Sequence, residues 1–381
     1  MTQPRIHGGT DALGVPQHDF STNSNACGPC PQALLAVQQA DASHYPDASY
    51  TELRAQLAAF HQVDAGRIVL AGSASEFIFR ITACVARGVG RAEGSGALHW
   101  PDPLLRPAVQ LPPHAYGDYA QAAQAWGLPR VALSAEAALV WACEPSSPLG
   151  QAHVEWPAWL SATKPSTSAE WPDGPSSEVS GPDSMAACVP ISVPHGLPIC
   201  VLDCAYAPLR LSGVSSLSAA QRNQLWQLFT PNKALGLTGV RAAYVIAPCA
   251  MNVSVQGQID ATVLELNQLA PSWPVGAHGV AMLQAWASPA VQAWLAVCVP
   301  VLRGWKARQV MMLESLEWTV QPSEANFFCA KPPKPLDLTA LRADHGIKLR
   351  DCASFGLPGH VRVGVLPPQA QDALAQALQG D

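Results

Sequence analysis

Apolar runs and helical patterns alternate along most of the chain. Helical spacing with good helix formers covers residues 33–40 and 50–62. A β-branched run at 67–72 ends in glycine and is followed directly by an apolar helix pattern. The same strand–turn–helix step recurs with candidate strands at 138–143, 198–203 and 243–247. Continuous apolar strands that alternate with helices predict an α/β fold whose parallel sheet is covered on both faces.

The pattern changes towards both ends of the chain and once in the middle. Residues 1–30 are rich in Gly, Asn, Pro and Ser, which predicts an arm with turns. Residues 161–195 are rich in Ser and Pro without periodicity, which predicts a disordered surface insertion without catalytic residues. After about residue 255, helical patterns at 275–297 and 299–314 precede short strands and a closing helix. This order predicts a second, smaller α+β domain.

Composition and charge narrow the function classes. The 381 residues include 28 acidic and 22 basic side chains, with a formal net charge of −6. This balance excludes a polyanion binder, because nucleic-acid binding draws on an excess of Lys and Arg. The apolar runs are shorter than the roughly 20 residues of a membrane span, and the first ten residues have no apolar signal core. Eleven cysteines in such a chain indicate reduced thiols. We therefore expect a cytoplasmic globular protein that binds neither nucleic acid nor membrane.

The segment 198–247 contains the clearest candidate chemistry. An apolar strand ends in Asp203, and Lys233, one of six lysines, lies on a Gly-rich turn that leads to Arg241. A lysine can trap an aldehyde, a carboxylate can pair with a heterocyclic nitrogen, and a guanidinium can bind a phosphate. The alternative is an ordinary surface lysine together with an aspartate that caps a helix. The spacing by itself leaves both interpretations open.

Two other patterns could bind anions. Residues 72–75 (Gly-Ser-Ala-Ser) lie at a strand-to-helix junction, where backbone amides and the helix dipole favour a phosphate. Ser73 or Ser75 could instead simply cap the helix. Arg350 and Arg362 lie on short apolar strands, where they could bind a doubly anionic substrate or face solvent at a strand edge.

Cys27-Gly28-Pro29-Cys30 has the spacing of a thioredoxin-type dithiol. Polar residues precede it where a redox dithiol needs a strand, so the context does not support that function. Neither a second CxxC pair nor an HxxxH motif accompanies it in the sequence, and we predict no metal site. Replacement of both cysteines by serine should therefore leave activity largely intact.

Six motifs follow one another along the chain: GSASEF (72–77), HAYGDY (114–119), CEPSSPLG (143–150), VLDCAYAPL (201–209), TPNKALGLTGVR (230–241) and HVRVGV (360–365). Their order resembles that of the class I/II aminotransferase-like, fold-type I pyridoxal-phosphate enzymes, over nearly the whole chain apart from 161–195. Within that group the chain looks most like the branch of histidinol-phosphate aminotransferases and L-threonine-O-3-phosphate decarboxylases of cobalamin biosynthesis. The HGG arm (7–9) and the segments at 45–63 and 349–365 resemble the decarboxylases, and histidinol-phosphate aminotransferases typically lack that arm.

The resemblance implies a fold and an assembly. The fold would be the fold-type I pyridoxal-phosphate-dependent transferase fold, with a mainly parallel central sheet in a large domain and a smaller α+β domain. The chain would divide into an N-terminal arm with part of the small domain (1–44), a large cofactor-binding domain (45–255) and a small C-terminal domain (256–381). It also implies a homodimer, in which Tyr45 reaches the cofactor phosphate of the other subunit.

The resemblance further assigns roles around pyridoxal 5'-phosphate. Lys233 would hold the cofactor covalently and then transfer protons, Asp203 would pair with the pyridinium nitrogen, and Tyr206 would hydrogen-bond the ring O3′. These three are the predicted catalytic residues. The other cofactor contacts would be Ser73, Ala74, Ser75, Tyr116, Ser147, Thr230, Arg241 and Tyr45. The substrate pocket would contain His7, Gly8, Asn23, Ser147, Arg350 and Arg362, with Arg362 as a carboxylate clamp and Arg350 beside the substrate phosphate.

Two positions depart from the family pattern. The motif NPNNPTG appears as EPSSPLG (144–150), so that Ser147 replaces an asparagine, and Cys204 replaces the acidic residue of DEAY. Neither change removes the electron sink. The implied activity is decarboxylation of L-threonine O-3-phosphate to (R)-1-aminopropan-2-yl phosphate and CO₂ in cobalamin biosynthesis. The alternatives are a histidinol-phosphate-type aminotransferase, which needs a keto acid, and a catalytically silent scaffold that binds the cofactor.

Overall fold

The computed structural model describes residues 7–88, 107–132, 137–161, 198–250 and 253–380. From residue 162 onwards, the predicted insertion at 161–195 lies outside the described residues. The strands are β1 (His18–Asp19), β2 (Ile68–Ala71), β3 (Ala108–Gln110), β4 (Arg130–Val131), β5 (Ala137–Cys143), β6 (Ile199–Asp203), β7 (Trp226–Phe229), β8 (Ala243–Ile246), β9 (Thr319–Val320), β10 (Phe327–Lys331), β11 (Ile347–Lys348), β12 (Arg350–Asp351) and β13 (Val361–Gly364). The helices are α1 (Pro31–Gln38), α2 (Thr51–His61), α3 (Ala74–Ala86), α4 (Gly117–Ala125), α5 (Ala158–Ser161), α6 (Ala219–Arg222), α7 (Val253–Gln268), α8 (Ala277–Trp286), α9 (Pro289–Ser315), α10 (Leu338–His345) and α11 (Pro368–Gln379).

Seven strands form the central sheet in the order β2–β8–β7–β6–β5–β3–β4. The pairs from β7 to β4 are parallel, whereas β8 runs antiparallel to both of its neighbours. Successive residues of β5 alternate between two cores: Val140 and Ala142 pack in one, and Leu139 and Trp141 in the other. Both faces of the sheet are therefore covered, which is why the strands read as continuous apolar runs. This confirms the predicted α/β fold with a mainly parallel sheet.

Strand β7 was not predicted, although it lies in the middle of the sheet between β6 and β8. It has only four residues, all of them buried, and includes the polar Gln227. A four-residue run of this kind is too short for the periodicity of the sequence to distinguish a strand from a turn. Its position matters for the site, because the loop after β7 carries Thr230 and Lys233.

The long helical segment in the second half breaks at a different place from the one predicted. The patterns at 275–297 and 299–314 place the break next to Pro300, but α9 continues through Pro300. The break lies between Trp286 and Pro289, because the Ser288 hydroxyl accepts a hydrogen bond from the Val291 amide and caps a new helix. In the described part of the chain, no single helix is long and apolar enough to cross a membrane; α8 and α9 meet that criterion only as a pair, which is bent by 71°.

A second, antiparallel sheet has the order β12–β13–β10–β9, and α11 packs against α9 beside it. Strand β1 of the N-terminal arm pairs in parallel with β11, so the arm joins the C-terminal part of the chain. Helix α7 packs against α3 and β2 of the large sheet. The division of the chain at residues 44 and 255 stays a prediction.

Candidate active site

Asp203 ends β6 at the carboxyl edge of the large sheet, beside Cys143 at the end of β5. Its side chain is buried, and burial raises the pKa of Asp203 above its ordinary value. Two donors oppose this rise: the Tyr119 hydroxyl donates to Oδ2 at 2.6 Å, and the Ala205 amide donates to Oδ1 at 2.9 Å. The carboxylate is thus held in one orientation at the strand end, and the positive charge of Lys233 also lowers its pKa.

Lys233 lies in the turn after β7, with its Nζ 5.2 Å from the ring centroid of Tyr206. Tyr206 is buried, packs edge-on against Phe327 and accepts a hydrogen bond from Asn23 Nδ2 at 3.3 Å. The Lys233 carbonyl accepts from the Asn25 amide at 2.9 Å, so the N-terminal arm fixes the backbone of the lysine turn. The structure therefore brings the three predicted catalytic residues and Asn23 to one place.

The start of α3 forms the second part of the site. The Ser73 hydroxyl caps the helix by accepting from the Glu76 amide at 3.0 Å, which is the simpler of the two roles considered for it. The Ser75 hydroxyl lies 3.2 Å from the hydroxyl of Tyr116. Burial raises the pKa of Tyr116 to about 12, so its hydroxyl stays protonated and can donate. Ala74 is the first helical residue, and its amide lies in the same unpaired first turn.

A cavity of about 760 Å³ opens at this helix start. Arg241 and His7 line it together with Ser75 and Tyr116, and Arg241 is exposed to solvent. The Thr230 hydroxyl is instead buried and donates to Asn232 Oδ1 at 2.9 Å. The geometry of Ser75, Tyr116 and Arg241 around a helix N-terminus suits a phosphate group.

Ser147, Arg350 and Arg362 form the third part of the site. Arg362 donates from Nη1 to the Ser147 hydroxyl at 3.1 Å and from Nη2 to the Ser21 carbonyl at 3.0 Å. Arg350 is its cross-strand partner in β12, and both guanidinium groups lie against the ring of Phe355, at 4.8 Å for Arg350 and 5.7 Å for Arg362. Burial and the neighbouring charge of Arg362 lower the pKa of Arg350. Two buried cations side by side favour an anionic ligand.

The N-terminal arm reaches this pair through Ser21. A Cβ on Gly8 would lie only 2.2 Å from the Ser21 carbonyl oxygen, so no larger residue fits at that position. The Gly9 amide donates to the Ser21 hydroxyl at 2.8 Å. The ring of His7 lies 6.5 Å from that of Tyr116. The two glycines of the arm thus permit a close approach that brings His7 to the cavity.

Tyr45 is the predicted site residue that this chain does not bring to the others. It is 77% exposed and stacks on Trp273, with 4.4 Å between ring centroids. Its role towards a second subunit stays a prediction.

Tyr119 is the functional residue that sequence reasoning missed. It is fully buried, stacks on Trp141 at 4.4 Å and donates to Asp203 across 84 positions of sequence. The motif HAYGDY contains Tyr119 three residues after Tyr116, one helical turn away, and this spacing was the available signal. Burial raises the pKa of Tyr119 far above its usual range, which keeps the hydroxyl a donor.

The surroundings of Cys27 and Cys30 do not favour a reactive thiolate. Burial raises the pKa of Cys27 to about 12, which leaves its reactive thiolate almost unpopulated. Cys30 is buried at the start of α1. Across the described ranges, no group of three or more His, Cys, Asp or Glu side chains could hold a metal ion.

The residues present fit pyridoxal phosphate. Two buried polar atoms near Tyr206 and Ser147 have no partner within the described structure, namely Asn23 Oδ1 and Arg362 Nε. Buried polar atoms are nearly always satisfied, so these two indicate a ligand that hydrogen-bonds them. An amine on Lys233, a buried carboxylate on Asp203 and a helix N-terminus are the donor set that an aldehyde, a ring nitrogen and a phosphate require.

Comparisons with known proteins agree with this geometry. Residues 200–378 match the profile of the family described as aminotransferase class I and II. A histidinol-phosphate aminotransferase of Jannaschia sp. (strain CCS1) is 26% identical over 384 residues, covering 98% of this chain and 92% of the relative. Histidinol-phosphate aminotransferase 1 of Thiobacillus denitrificans is 27% identical over 371 residues, covering 93% and 83%.

Two solved structures show the same fold. The histidinol-phosphate aminotransferase of Sinorhizobium meliloti, in complex with pyridoxal-5'-phosphate, has a TM-score of 0.65 at 20% identity, covering 94% of this chain and 89% of that one. The L-threonine-O-3-phosphate decarboxylase of Porphyromonas gingivalis has a TM-score of 0.65 at 16% identity, covering 95% and 98%. Both named activities of the resembled branch therefore occur on this fold.

Proposed function

We propose that this chain, whose residues 200–378 match the aminotransferase class I and II family, uses pyridoxal phosphate to decarboxylate L-threonine O-3-phosphate. The products would be (R)-1-aminopropan-2-yl phosphate and CO₂, for the side chain of cobalamin. The observation that carries the proposal is the glycine arm, which is packed against Ser21 and brings His7 to the cavity beside Tyr116.

The two arginines suit the charge of this substrate. Arg350 and Arg362 are neighbours across two strands and share the ring of Phe355. L-threonine O-3-phosphate carries a carboxylate and a phosphate on a short carbon skeleton, so one guanidinium can bind each anion. Arg362 would bind the carboxylate, since Ser147 and Ser21 already orient it, and Arg350 would lie beside the phosphate.

The chain's own residues would then direct the chemistry. When bound, pyridoxal phosphate supplies an electron sink for the electron pair left at Cα when a bond to it breaks. Asp203 would pair with the ring nitrogen, and the Tyr119 hydroxyl, which donates to Asp203, would favour its ionised form. Arg362 would hold the substrate carboxylate and so select the bond between Cα and that carboxylate for cleavage. Lys233 Nζ would donate a proton to Cα.

The proposal includes a homodimer. Tyr45 is exposed and stacks on Trp273, so this aromatic pair is accessible to a second subunit. Tyr45 would reach the cofactor phosphate of the other subunit. Tyr45→Ala should therefore weaken cofactor binding in mixed dimers only at the site of the subunit that keeps Tyr45.

The second candidate is a histidinol-phosphate aminotransferase, favoured by the names of the curated relatives. That substrate has a phosphate and an amine but no carboxylate, so one of the two arginines would bind an anion only in the other half-reaction, with the keto acid. A catalytically silent cofactor-binding scaffold is the third.

One assay distinguishes the three candidates. Purified, cofactor-loaded protein receives L-threonine O-3-phosphate without a keto acid in one arm, and histidinol phosphate with 2-oxoglutarate in the other. The proposal predicts continuous formation of aminopropanol phosphate in the first arm. Turnover in the second arm alone would establish the aminotransferase, and turnover in neither would favour the scaffold.

A further inference from the structure

Two cysteines of the small sheet lie next to each other beneath the substrate arginines. Cys329 belongs to β10, and Cys352 follows β12 in the turn before the 3₁₀-helix Ala353–Phe355. Their Sγ atoms are 3.7 Å apart, and both side chains are completely buried. Leu149 and Leu357 are half-buried and close the cluster towards the surface. The proposed reaction has no use for either thiol.

The pair is connected directly to the two arginines. Cys329 stands opposite Arg362 in the register of β10 and β13. Cys352 comes two residues after Arg350, and its Sγ donates to the Arg350 carbonyl at 3.7 Å. The two sulfur atoms therefore lie directly beside the strand residues that carry both guanidinium groups.

The two thiols differ in acidity. The pKa of Cys352 is lowered, first by the hydrogen bond with the Cys329 thiol and then by the positive charges of Arg362 and Arg350. The same hydrogen bond, together with burial, raises the pKa of Cys329. A thiol that is oxidised at this place therefore has a resolving thiol 3.7 Å away.

Several other described cysteines have a raised pKa. Cys27 is more accessible than Cys352, yet burial raises its pKa to about 12. Cys84 and Cys200 have pKa values raised to about 12 for the same reason. Accessibility predicts that Cys27 is oxidised before Cys352, whereas acidity predicts the reverse order. The two orders can be distinguished within one protein.

We propose that Cys329 and Cys352 are an oxidisable dithiol that a peroxide converts to a disulfide, which weakens substrate binding at the neighbouring arginines. The Cys352 thiolate attacks the peroxide oxygen, the O–O bond breaks, and a sulfenic acid and hydroxide form. The Cys329 thiol then attacks the Cys352 sulfur, so that the S–S bond forms and water leaves. A small dithiol restores both thiols and becomes a disulfide itself.

The consequence for substrate rests on the proposed function. An S–S bond of about 2.05 Å requires the two sulfur atoms to approach from their present 3.7 Å. The strands on either side of Arg362 must shift to allow this, and displacement of a binding group by about 1 Å can cost roughly 100-fold. We expect KM for L-threonine O-3-phosphate to rise at least about tenfold, with the visible absorbance of bound cofactor unchanged.

The test maps disulfides in the cofactor-loaded protein. Native protein is titrated with hydrogen peroxide, its remaining thiols are alkylated, and linked peptides are identified by mass spectrometry before and after treatment with dithiothreitol. A reversible Cys329–Cys352 link that forms before any Cys27–Cys30 link supports the proposal, and Cys84→Ser should leave it unchanged. Oxidation of Cys27 and Cys30 first, or no 329–352 link in the folded protein, would overturn it.

A kinetic arm tests the coupling on the same samples. The coupling is supported if oxidation raises KM about tenfold, dithiothreitol reverses the rise, and Cys329→Ser does not show it. An unchanged KM in fully linked protein would overturn the coupling. The mass measurement needs no turnover. Failure of the untreated protein to use L-threonine O-3-phosphate would therefore count against the proposed function and leave the disulfide result readable.

Discussion

Removal of the Tyr119 hydroxyl tests how the site keeps a buried carboxylate charged. Tyr119→Phe preserves the ring that stacks on Trp141 and deletes only the donor 2.6 Å from Asp203 Oδ2. Asp203 would then keep the Ala205 amide as its hydrogen-bond donor within the described structure. Because burial already raises the pKa of Asp203, loss of an opposing donor must raise it further.

The magnitude follows from the strength of the lost bond. A hydrogen bond to a charged group contributes about 1.5–3 kcal/mol, and about 1.4 kcal/mol corresponds to a tenfold change in rate. We therefore expect kcat to fall by about 10- to 100-fold if Asp203 must be ionised for turnover. Activity should also be lost at a higher pH than in the native protein as the medium is acidified, since the protonated form of Asp203 is favoured earlier.

The assay is kcat as a function of pH for Tyr119→Phe and for a matched control. Tyr244 is also completely buried, and its hydroxyl contacts His61 and Trp286 rather than Asp203. Tyr244→Phe should lower stability without moving the acidic limb of the profile. A Tyr119→Phe profile that coincides with the native one would refute the assigned role of Tyr119.

Three further predictions concern the lysine, a buried histidine and a buried ion pair. Lys233→Ala should abolish the visible absorbance of lysine-bound cofactor and all turnover; retention of both would show that the assignment is wrong. Burial lowers the pKa of His61 from 6.5 to about 4, so the contribution of neutral His61 to folding stability is fully present above pH 6.5 and is lost as pH falls towards 4. Relative to His61→Gln, native protein should lose about 2 kcal/mol of unfolding free energy between pH 7 and 5, measured by urea unfolding. An equal pH dependence of the unfolding free energy in both proteins would contradict this. Arg210 donates to the buried carboxylate of Glu144 at 2.7 Å. Arg210→Met should cost about 1.5–3 kcal/mol, because the carboxylate loses its charged donor and keeps those of Ser216 and His153; a loss below about 0.5 kcal/mol would mean that the pair is not buried in solution.

Much of the sheet and of the site could be predicted because the residue pattern of each segment there agrees with its place in the fold. The runs that became β5 and β6 are apolar on both faces, and Asp203 ends the second run, where parallel sheets place their sites. Lys233 was recognisable because it follows such strands on a Gly-rich turn in a chain with few lysines. The comparisons confirm the fold, and residues 200–378 match the model of the aminotransferase class I and II family.

What the sequence did not predict depends on contacts between distant segments. Tyr119 becomes important only when α4 brings it to the end of β6, and its spacing from Tyr116 does not by itself specify that contact. The start of α9 is fixed by the cap at Ser288, and the helix continues through Pro300. The packing of the N-terminal arm on Ser21 requires the close backbone approach at Gly8. The presence of a glycine in the sequence does not reveal which segment it contacts.

The most direct test of the proposed decarboxylation is the amount of CO₂ released per bound cofactor. The protein would be loaded with pyridoxal phosphate, freed of keto acids and given L-threonine O-3-phosphate labelled with ¹³C at its carboxyl carbon. Many equivalents of labelled CO₂ per cofactor are the predicted result, because decarboxylation regenerates the cofactor without an acceptor. No labelled CO₂, with at most one amino group transferred per cofactor, would contradict the proposal and identify an aminotransferase.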